Sequence, residues 1–167
     1  MNINDKIKEC LKEGESGERH KGLRKIDVSE EIILGHIHKA VHNFNAIDFF
    51  RSGGYSDWSA SASFYCLYHC LLGILAKHGL ESRNQNCTFA FIENLIDKGE
   101  ISLTKDELKE IFDRDVRQDL EFSTKILDIR EKMQYSIKTH LEEKEFEILK
   151  ERTKFLLDKL RREIERE

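Results

Sequence analysis

The sequence predicts an all-α fold, an up-and-down bundle of four to five main helices, and three observations carry that expectation. Proline is absent from all 167 residues; helix interiors exclude it, whereas strand-rich folds commonly use it in turns. Apolar residues recur at three- and four-residue steps through one stretch after another, the period of a helix and not the alternation of a strand. The stretches are divided by glycine-bearing stops, Gly14, Ser52-Gly53-Gly54, Gly79 and Gly99, which is where helices end.

Taken in order, Ile3, Ile7, Cys10 and Leu11 form a short amphipathic stripe ending at Gly14. Residues 15–25, Glu-Ser-Gly-Glu-Arg-His-Lys-Gly-Leu-Arg-Lys, are polar, basic and glycine-studded, and read as a loop or mobile arm. Residues 1–26 are thus a short helix plus a polar, basic arm, and 27–167 a helical bundle. Arg19, Lys21, Arg24 and Lys25 suit either contact with phosphate or simple solvation of a connector.

Asp27 and Glu30 have the spacing of a capping box, opening a second helix with the stripe Ile32, Ile33, Ile37, Ala40, Val41, Phe44, Ile47 and Phe50. After a very short turn comes the central helix, 56–79, which holds the only Trp, two of the four Tyr and two of the four Cys. Short connections make antiparallel neighbours, so these two helices form a hairpin. Ser56 stands as the N-cap of the central helix and Gly79 as its C′ residue. Trp58, Ala62, Tyr65, His69, Leu72 and Ala76 share one face; Phe64, Leu67, Leu71 and Ile74 make a second apolar row. A helix apolar on two sides is surrounded, by other helices or by a partner chain. The Ser-Ala-Ser-Ala-Ser run at 59–63 allows another backbone to come close.

A shorter helix runs from about Cys87 through Phe89, Phe91, Ile92, Leu95 and Ile96 to Gly99. Thr104 and Glu107 form a second capping box, starting a modest helix through Leu108, Ile111 and Phe112. A kink or loop is expected over 113–119. Phe122, Ile126, Ile129 and Met133 then mark a helix reaching about Tyr135. The last helix, roughly 141–165, has Leu141, Phe146, Leu149, Phe155, Leu156, Leu160 and Ile164 on one side and a dense charged face on the other.

Composition excludes several function classes. A net charge of -4 and a pI near 6.0 argue against a general binder of the phosphate backbone, though not against a small local nucleotide or RNA site. No basic start followed by an apolar run is visible, nor a stretch of about 18 apolar residues, so the expected address is the cytoplasm. There, Cys10, Cys66, Cys70 and Cys87 are expected to be reduced thiols. Cys66, His69, Cys70 and Cys87 are soft ligands near one another, but no Cys-x-x-Cys pair accompanies them, and core thiols are the better reading. His38 and His42 have metal-ligand spacing without the Glu of a His-Glu-x-x-His motif, so with His36 they read as a partly exposed helix face. No metal ligand set and no cofactor motif is therefore expected. Phosphate loops, nucleophile elbows and dinucleotide fingerprints are all missing from the sequence.

Arg130 lies in Ile-Leu-Asp-Ile-Arg-Glu-Lys-Met-Gln-Tyr (126–135), with Gln134 on its side of the helix and Tyr135 at the edge. An Arg and a Tyr at the rim of a helical groove can hold a phosphate and stack a base. Equally, Arg130 can pair with Asp57 or another acid.

With these residues placed, positions 29–163 resemble the HEPN family, the small helical domain named for nucleotide binding in higher eukaryotes and prokaryotes. Gly-Tyr-Ser-Asp-Trp-Ser-Ala-Ser-Ala-Ser-Phe-Tyr-Cys-Leu-Tyr-His-Cys-Leu-Leu (54–72) is similar to the family's small-residue, double-aromatic, aromatic-His helix. The Arg130–Tyr135 segment is similar to the helix bearing its Arg motif. The resemblance implies an often dimeric bundle, RNA as substrate for metal-independent endoribonucleases, and a small nucleotidyltransferase as partner in toxin–antitoxin modules. It carries Arg130 over as the active Arg. In the family a His follows the Arg after four to six residues, and the positions where it should fall are here Tyr135, Ser136 and Ile137; His140 lies too far along. Ser63 stands where a related subgroup often has an Arg. Losing the His removes the obvious proton-transfer group, because a Tyr is a poor base at neutral pH.

Three readings follow. The first is a domain that binds RNA or a nucleotide through Arg130, Gln134, Tyr135, His69 and Tyr65, as a homodimer working with a nucleotidyltransferase. The second is an interaction module using the second apolar row of the central helix. The third is a ribonuclease with a degenerate motif, using Arg130 and Tyr135 as catalytic residues.

Overall fold

A computed structural model describes residues 1–112 and 126–166. In order, the elements are α1 (Ile3–Gly14), β1 (Leu23–Lys25), α2 (Glu30–Ser52), α3 (Ser56–Lys77), β2 (Leu80–Ser82), α4 (Gln85–Asp97), α5 (Lys105–Ile111), α6 (Ile126–Tyr135) and α7 (Glu143–Glu165). The expected all-α bundle is there. The expected kink at 113–119 and the Phe122 start of the penultimate helix lie outside the described residues.

The bundle is built around α3, which packs most extensively on α2 and then on α7 and α6. Phe64, Leu67, Leu71 and Ile74 are at most 2% exposed, and each such side chain contributes about 1.5–3 kcal/mol by leaving water. The second apolar row is therefore the interior of the molecule and not a partner surface, which overturns the interaction reading in its expected place. By length and composition α3 is apolar enough to cross a membrane, but 78% of its apolar window is buried inside the bundle. The Ser-Ala run allows the close approach expected of it: Ser59 Oγ donates to the Ile47 carbonyl of α2 at 2.7 Å.

Several local expectations shift. The cap of α2 is Ser29, whose hydroxyl accepts from the Ile32 N–H, and not the Asp27–Glu30 box. Ser56 is the first residue of α3 and no side chain caps that helix; the Ser56 hydroxyl instead accepts from the Leu141 N–H at 2.8 Å. Helix α4 begins at Gln85, capped by Asn84. The Thr104–Glu107 capping box forms as expected. So does the stop at Gly79, with φ of +71°. On α7, Phe155 is 46% exposed and Leu157 is buried in its stead, so the stripe is rotated from the expected one.

The largest correction concerns the N-terminal segment. Residues 23–25 are a strand, not a free arm, paired antiparallel with β2 in the register Leu23↔Ser82, Arg24↔Glu81 and Lys25↔Leu80. Buried His20 fixes the turn before it: its Nδ1 accepts from the Gly22 N–H at 3.3 Å while Nε2 lies 3.2 Å from Glu81. With Nδ1 accepting, Nε2 carries the proton and donates. Arg24 and Arg83 bind the same carboxylate. Burial raises the Glu81 pKa, and these three donors outweigh it, leaving the carboxyl below its usual range.

Cys10 of α1 and Cys87 of α4 are joined as a disulfide, their Cα atoms 5.8 Å apart. The expectation of four reduced thiols fails for this pair, because α1 folds back onto α4 and brings together two cysteines 77 residues apart. Cys66 and Cys70 are free and buried. Burial drives the Cys70 thiol up to about 12 and raises that of Cys66 as well, with Cys70 as a second cause for Cys66, so both behave as apolar packing groups. The Cys-His cluster is thereby dissolved, and among the described residues no group of three or more metal-ligating side chains exists.

Candidate functional site

Among the described residues, the shared face of Trp58, Tyr65, His69 and Leu72 is the stripe of α3 that other helices leave open. Trp58 and Tyr65 are exposed, while Ser61, His69 and Leu72 are half-buried. Helix α2 borders this stripe on one side: Phe50 meets Trp58 with ring centroids 6.5 Å apart, and His36 meets His69. Helix α6 borders it on the other through Arg130. The result is a groove with α3 as its floor and α2 and α6 as its walls.

Arg130 is held on the α6 wall by its flat face. Its guanidinium carbon lies 3.6 Å from the centroid of the Phe64 ring, a stacked cation–π contact. Phe64 in turn stacks on Tyr68, with centroids 5.6 Å apart and an interplanar angle of 10°. The cation therefore rests on a rigid aromatic column. Burial lowers the Arg130 pKa, and the nearby Tyr65, Glu131 and Tyr135 partly restore it; an Arg remains charged in any case. Among the described residues Arg130 makes no ion pair with Asp57; of the acids, Glu131 is the one near enough to act on its charge.

Of the residues singled out from the sequence, the structure brings Arg130, Tyr65 and Tyr135 together at one point of the groove. Tyr135 is 77% exposed at the end of α6, and Gln134 is exposed beside it. His69 lies one turn of α3 beyond Tyr65. His140 is exposed on the connection between α6 and α7, and Ser63 is buried in the core, where its hydroxyl meets that of Thr153 at 2.5 Å. Ser63 is thus no part of the groove, and an Arg at that position would enter the α3–α7 contact.

His69 does not stand alone. Its Nδ1 is 3.1 Å from Nδ1 of His36, so one ring donates and the other accepts, which requires both to be neutral or one proton to be shared. Burial lowers the pKa of His36. It lowers that of His69 to about 4, with His36 and then Lys39 as further causes. His36 lies, as expected, on a partly exposed face, half-buried where α3 passes beside it. His38 and His42 remain exposed. Past the histidine pair the groove deepens into a pocket of about 260 Å³ lined by Ile32, His36, Leu72, Ala76 and Glu81, among others.

Sequence reasoning missed three members of this groove: Phe64 as the platform beneath Arg130, Trp58 as its exposed aromatic end, and His36 as the partner of His69. The only signal for His36 was its place at the edge of the α2 apolar stripe, next to Ile37 and four residues before Ala40.

No protein-family model matches the chain, and no curated protein matches it significantly.

Proposed function

We propose that this chain is a HEPN-like domain that binds RNA or a nucleotide in the groove between α2 and α6, and that it works with a nucleotidyltransferase partner in a module of the toxin–antitoxin type. The observation that carries this reading is the half-buried guanidinium of Arg130 lying on Phe64 between two open tyrosines. The stack occupies one face of the guanidinium, while its N–H edges suit a phosphate in bidentate geometry. Tyr65 and Tyr135 offer faces on which a base stacks, and Gln134 and His69 add hydrogen-bonding groups on either side.

Binding is favoured over cleavage. Metal-independent cleavage of RNA needs a group to take the 2′-hydroxyl proton and another to protonate the leaving oxygen. The residues that follow Arg130 are poorly suited to either task. The nearest imidazoles within the groove, His36 and His69, direct their Nδ1 atoms at each other. A ribonuclease using Arg130 and Tyr135 as catalytic residues is the second reading, and the absence of a poised base weighs against it.

Labelled RNA incubated with the protein and with Arg130→Ala, without divalent metal and across a salt series, tests both. The expected result is salt-sensitive binding that the variant loses, with no cleavage. Cleavage that depends on Arg130 would install the second reading, and RNA untouched by either protein would end both. Co-purification with a nucleotidyltransferase encoded beside this chain tests the partner.

A further inference from the structure

We propose that the Cys10–Cys87 disulfide is a redox-sensitive latch, whose reduction frees residues 1–26 from the bundle and takes down one wall of the pocket beyond the histidine pair. The latch follows from how little else holds that segment. Of the 12 residues of α1 only Cys10 and Gly14 are buried, so the helix brings little apolar surface of its own to the bundle. A cavity of about 440 Å³, lined by Leu11, Gly14, Glu15, Leu23 and Lys25 among others, lies where its end meets β1. The polar ties of the segment gather at one place. They are the three-residue pairing of β1 with β2, the Asn84 side-chain amide donating to the Lys21 carbonyl at 3.1 Å, and the bonds of His20 and Arg24 to Glu81. A segment held this way opens locally at low cost once its covalent tie is cut.

The disulfide sits where its loss is felt at the pocket. A Cβ on Gly22 would fall 2.2 Å from the Cys10 carbonyl oxygen, so the backbone of the linked residue lies against the turn that leads into β1. Just after β1, the Ile26 N–H donates to the Gly79 carbonyl at 2.9 Å. Ile26, Leu80 and Glu81 line the pocket of about 260 Å³ together with His36. Release of residues 1–26 uncovers Leu80, which is 8% exposed in the latched chain. It also leaves Glu81 with Arg83 alone of the three donors described for it. Resting on the reading that the groove binds a phosphate-bearing ligand, the reduced chain meets that ligand with a less compensated carboxylate and without Arg24. The electrons come from outside, because the Cys66 and Cys70 thiols are buried in α3 and held protonated by that burial. Both sulfurs of the bond are buried, and opening of α1 uncovers them. A thiolate of an external dithiol then attacks one sulfur to form a mixed disulfide, which the second thiolate of the dithiol displaces. Two electrons and two protons pass to the chain, Cys10 and Cys87 become thiols, and the dithiol leaves as a disulfide.

Dithiothreitol and then oxidised glutathione, added to the intact protein under native conditions, test the proposal, with thiol alkylation reporting the state of the bond. In the reduced chain the amides of α1, β1 and β2 are expected to exchange hydrogen about tenfold faster. Trypsin is expected to cut after Arg19, Lys21, Arg24 and Lys25, while α2, α3 and α7 keep their protection, and reoxidation is expected to restore the segment. The chain carrying both Cys10→Ser and Cys87→Ser is expected to behave as the reduced one whichever reagent is present. Labelled single-stranded RNA is expected to bind the reduced chain about fivefold more weakly, the scale of one partly screened charge. Equal exchange in the two states, a bond that dithiothreitol leaves intact in the folded protein, or protection lost through the whole bundle at once overturns the latch. RNA bound equally by both states overturns its control of the groove. RNA bound by neither state counts against the ligand reading alone, and the exchange of α1, β1 and β2 then decides the latch by itself.

Discussion

The guanidinium of Arg130 lies 3.6 Å from the centroid of the Phe64 ring, joining the α6 wall of the groove to the core of α3. That contact separates two properties of the residue, its charge and its planar shape. Lysine keeps the first and loses the second. Arg130→Lys is expected to weaken RNA binding about tenfold, the upper range of a partly desolvated cation–π stack, while leaving the salt dependence unchanged. Arg130→Ala is expected to remove about one unit from the slope of log K against log salt. A Lys variant that binds as tightly as the natural chain would show that Phe64 does not orient the group.

The His36–His69 pair sets a pH dependence for folding. The folded His69 has its pKa lowered from 6.5 to about 4, and His36 is lowered as well. Between those pH values the unfolded chain binds protons that the folded chain does not, so stability rises with pH there. The contribution is fully present above 6.5 and lost as the pH falls to about 4. Charged groups facing the pair reinforce the effect, since Lys39 also disfavours the imidazolium. Both rings are half-buried, and solvent screening keeps the effect modest. Urea unfolding at neutral pH and near the middle of that window is expected to show a smaller loss for His69→Gln than for the natural chain. Equal losses would mean that the pair does not govern the acid limb.

The Cys10–Cys87 disulfide closes a loop of 77 residues and holds α1 to the bundle. Shortening the freedom of the unfolded chain in this way contributes roughly 2–4 kcal/mol. Replacing both cysteines by Ser is therefore expected to lower the unfolding free energy by about that amount, with α1 and β1 loosened first. Alkylation in denaturant without reductant gives the direct check. Two reactive thiols, Cys66 and Cys70, are expected; four would mean that the bond does not form in the protein as isolated.

What the sequence made legible follows from the range of each signal. The helices and their stops were readable because period, glycine and capping boxes are local: Thr104 and Glu107 lie three residues apart, and Gly79 ends α3 by its own backbone. The members of the groove that are near in sequence, Arg130 with Tyr135 and Tyr65 with His69, were readable for the same reason. Strand β1 escaped because three residues are too few to show alternation, and its partner lies 57 residues away across the Arg24↔Glu81 pair. The disulfide and the His36–His69 contact escaped because no spacing rule relates residues on different helices. The second row of α3 illustrates the opposite error: an apolar stripe says that something covers it, and only the packing says that the cover comes from within the chain, Arg130 of α6 over Phe64 included.

Gly14 and Gly35 are expected to respond to alanine with opposite signs, for reasons visible in their surroundings. A Cβ on Gly14 would fall 1.8 Å from the Leu23 carbonyl oxygen and 2.4 Å from its carbon, because the end of α1 lies directly on the backbone of β1. Neither backbone can yield without separating the two elements, so Gly14→Ala is expected to cost about 1–3 kcal/mol. Gly35 sits inside α2 with nothing within 4 Å of the same position. Alanine there removes backbone freedom from the unfolded chain and meets no neighbour, so Gly35→Ala is expected to stabilise by about 0.5–1 kcal/mol. Thermal unfolding of the two variants beside the natural chain checks both signs at once. A neutral Gly14→Ala would show that α1 and β1 do not pack as closely as described, and a destabilising Gly35→Ala would show that this face of α2 is covered in solution.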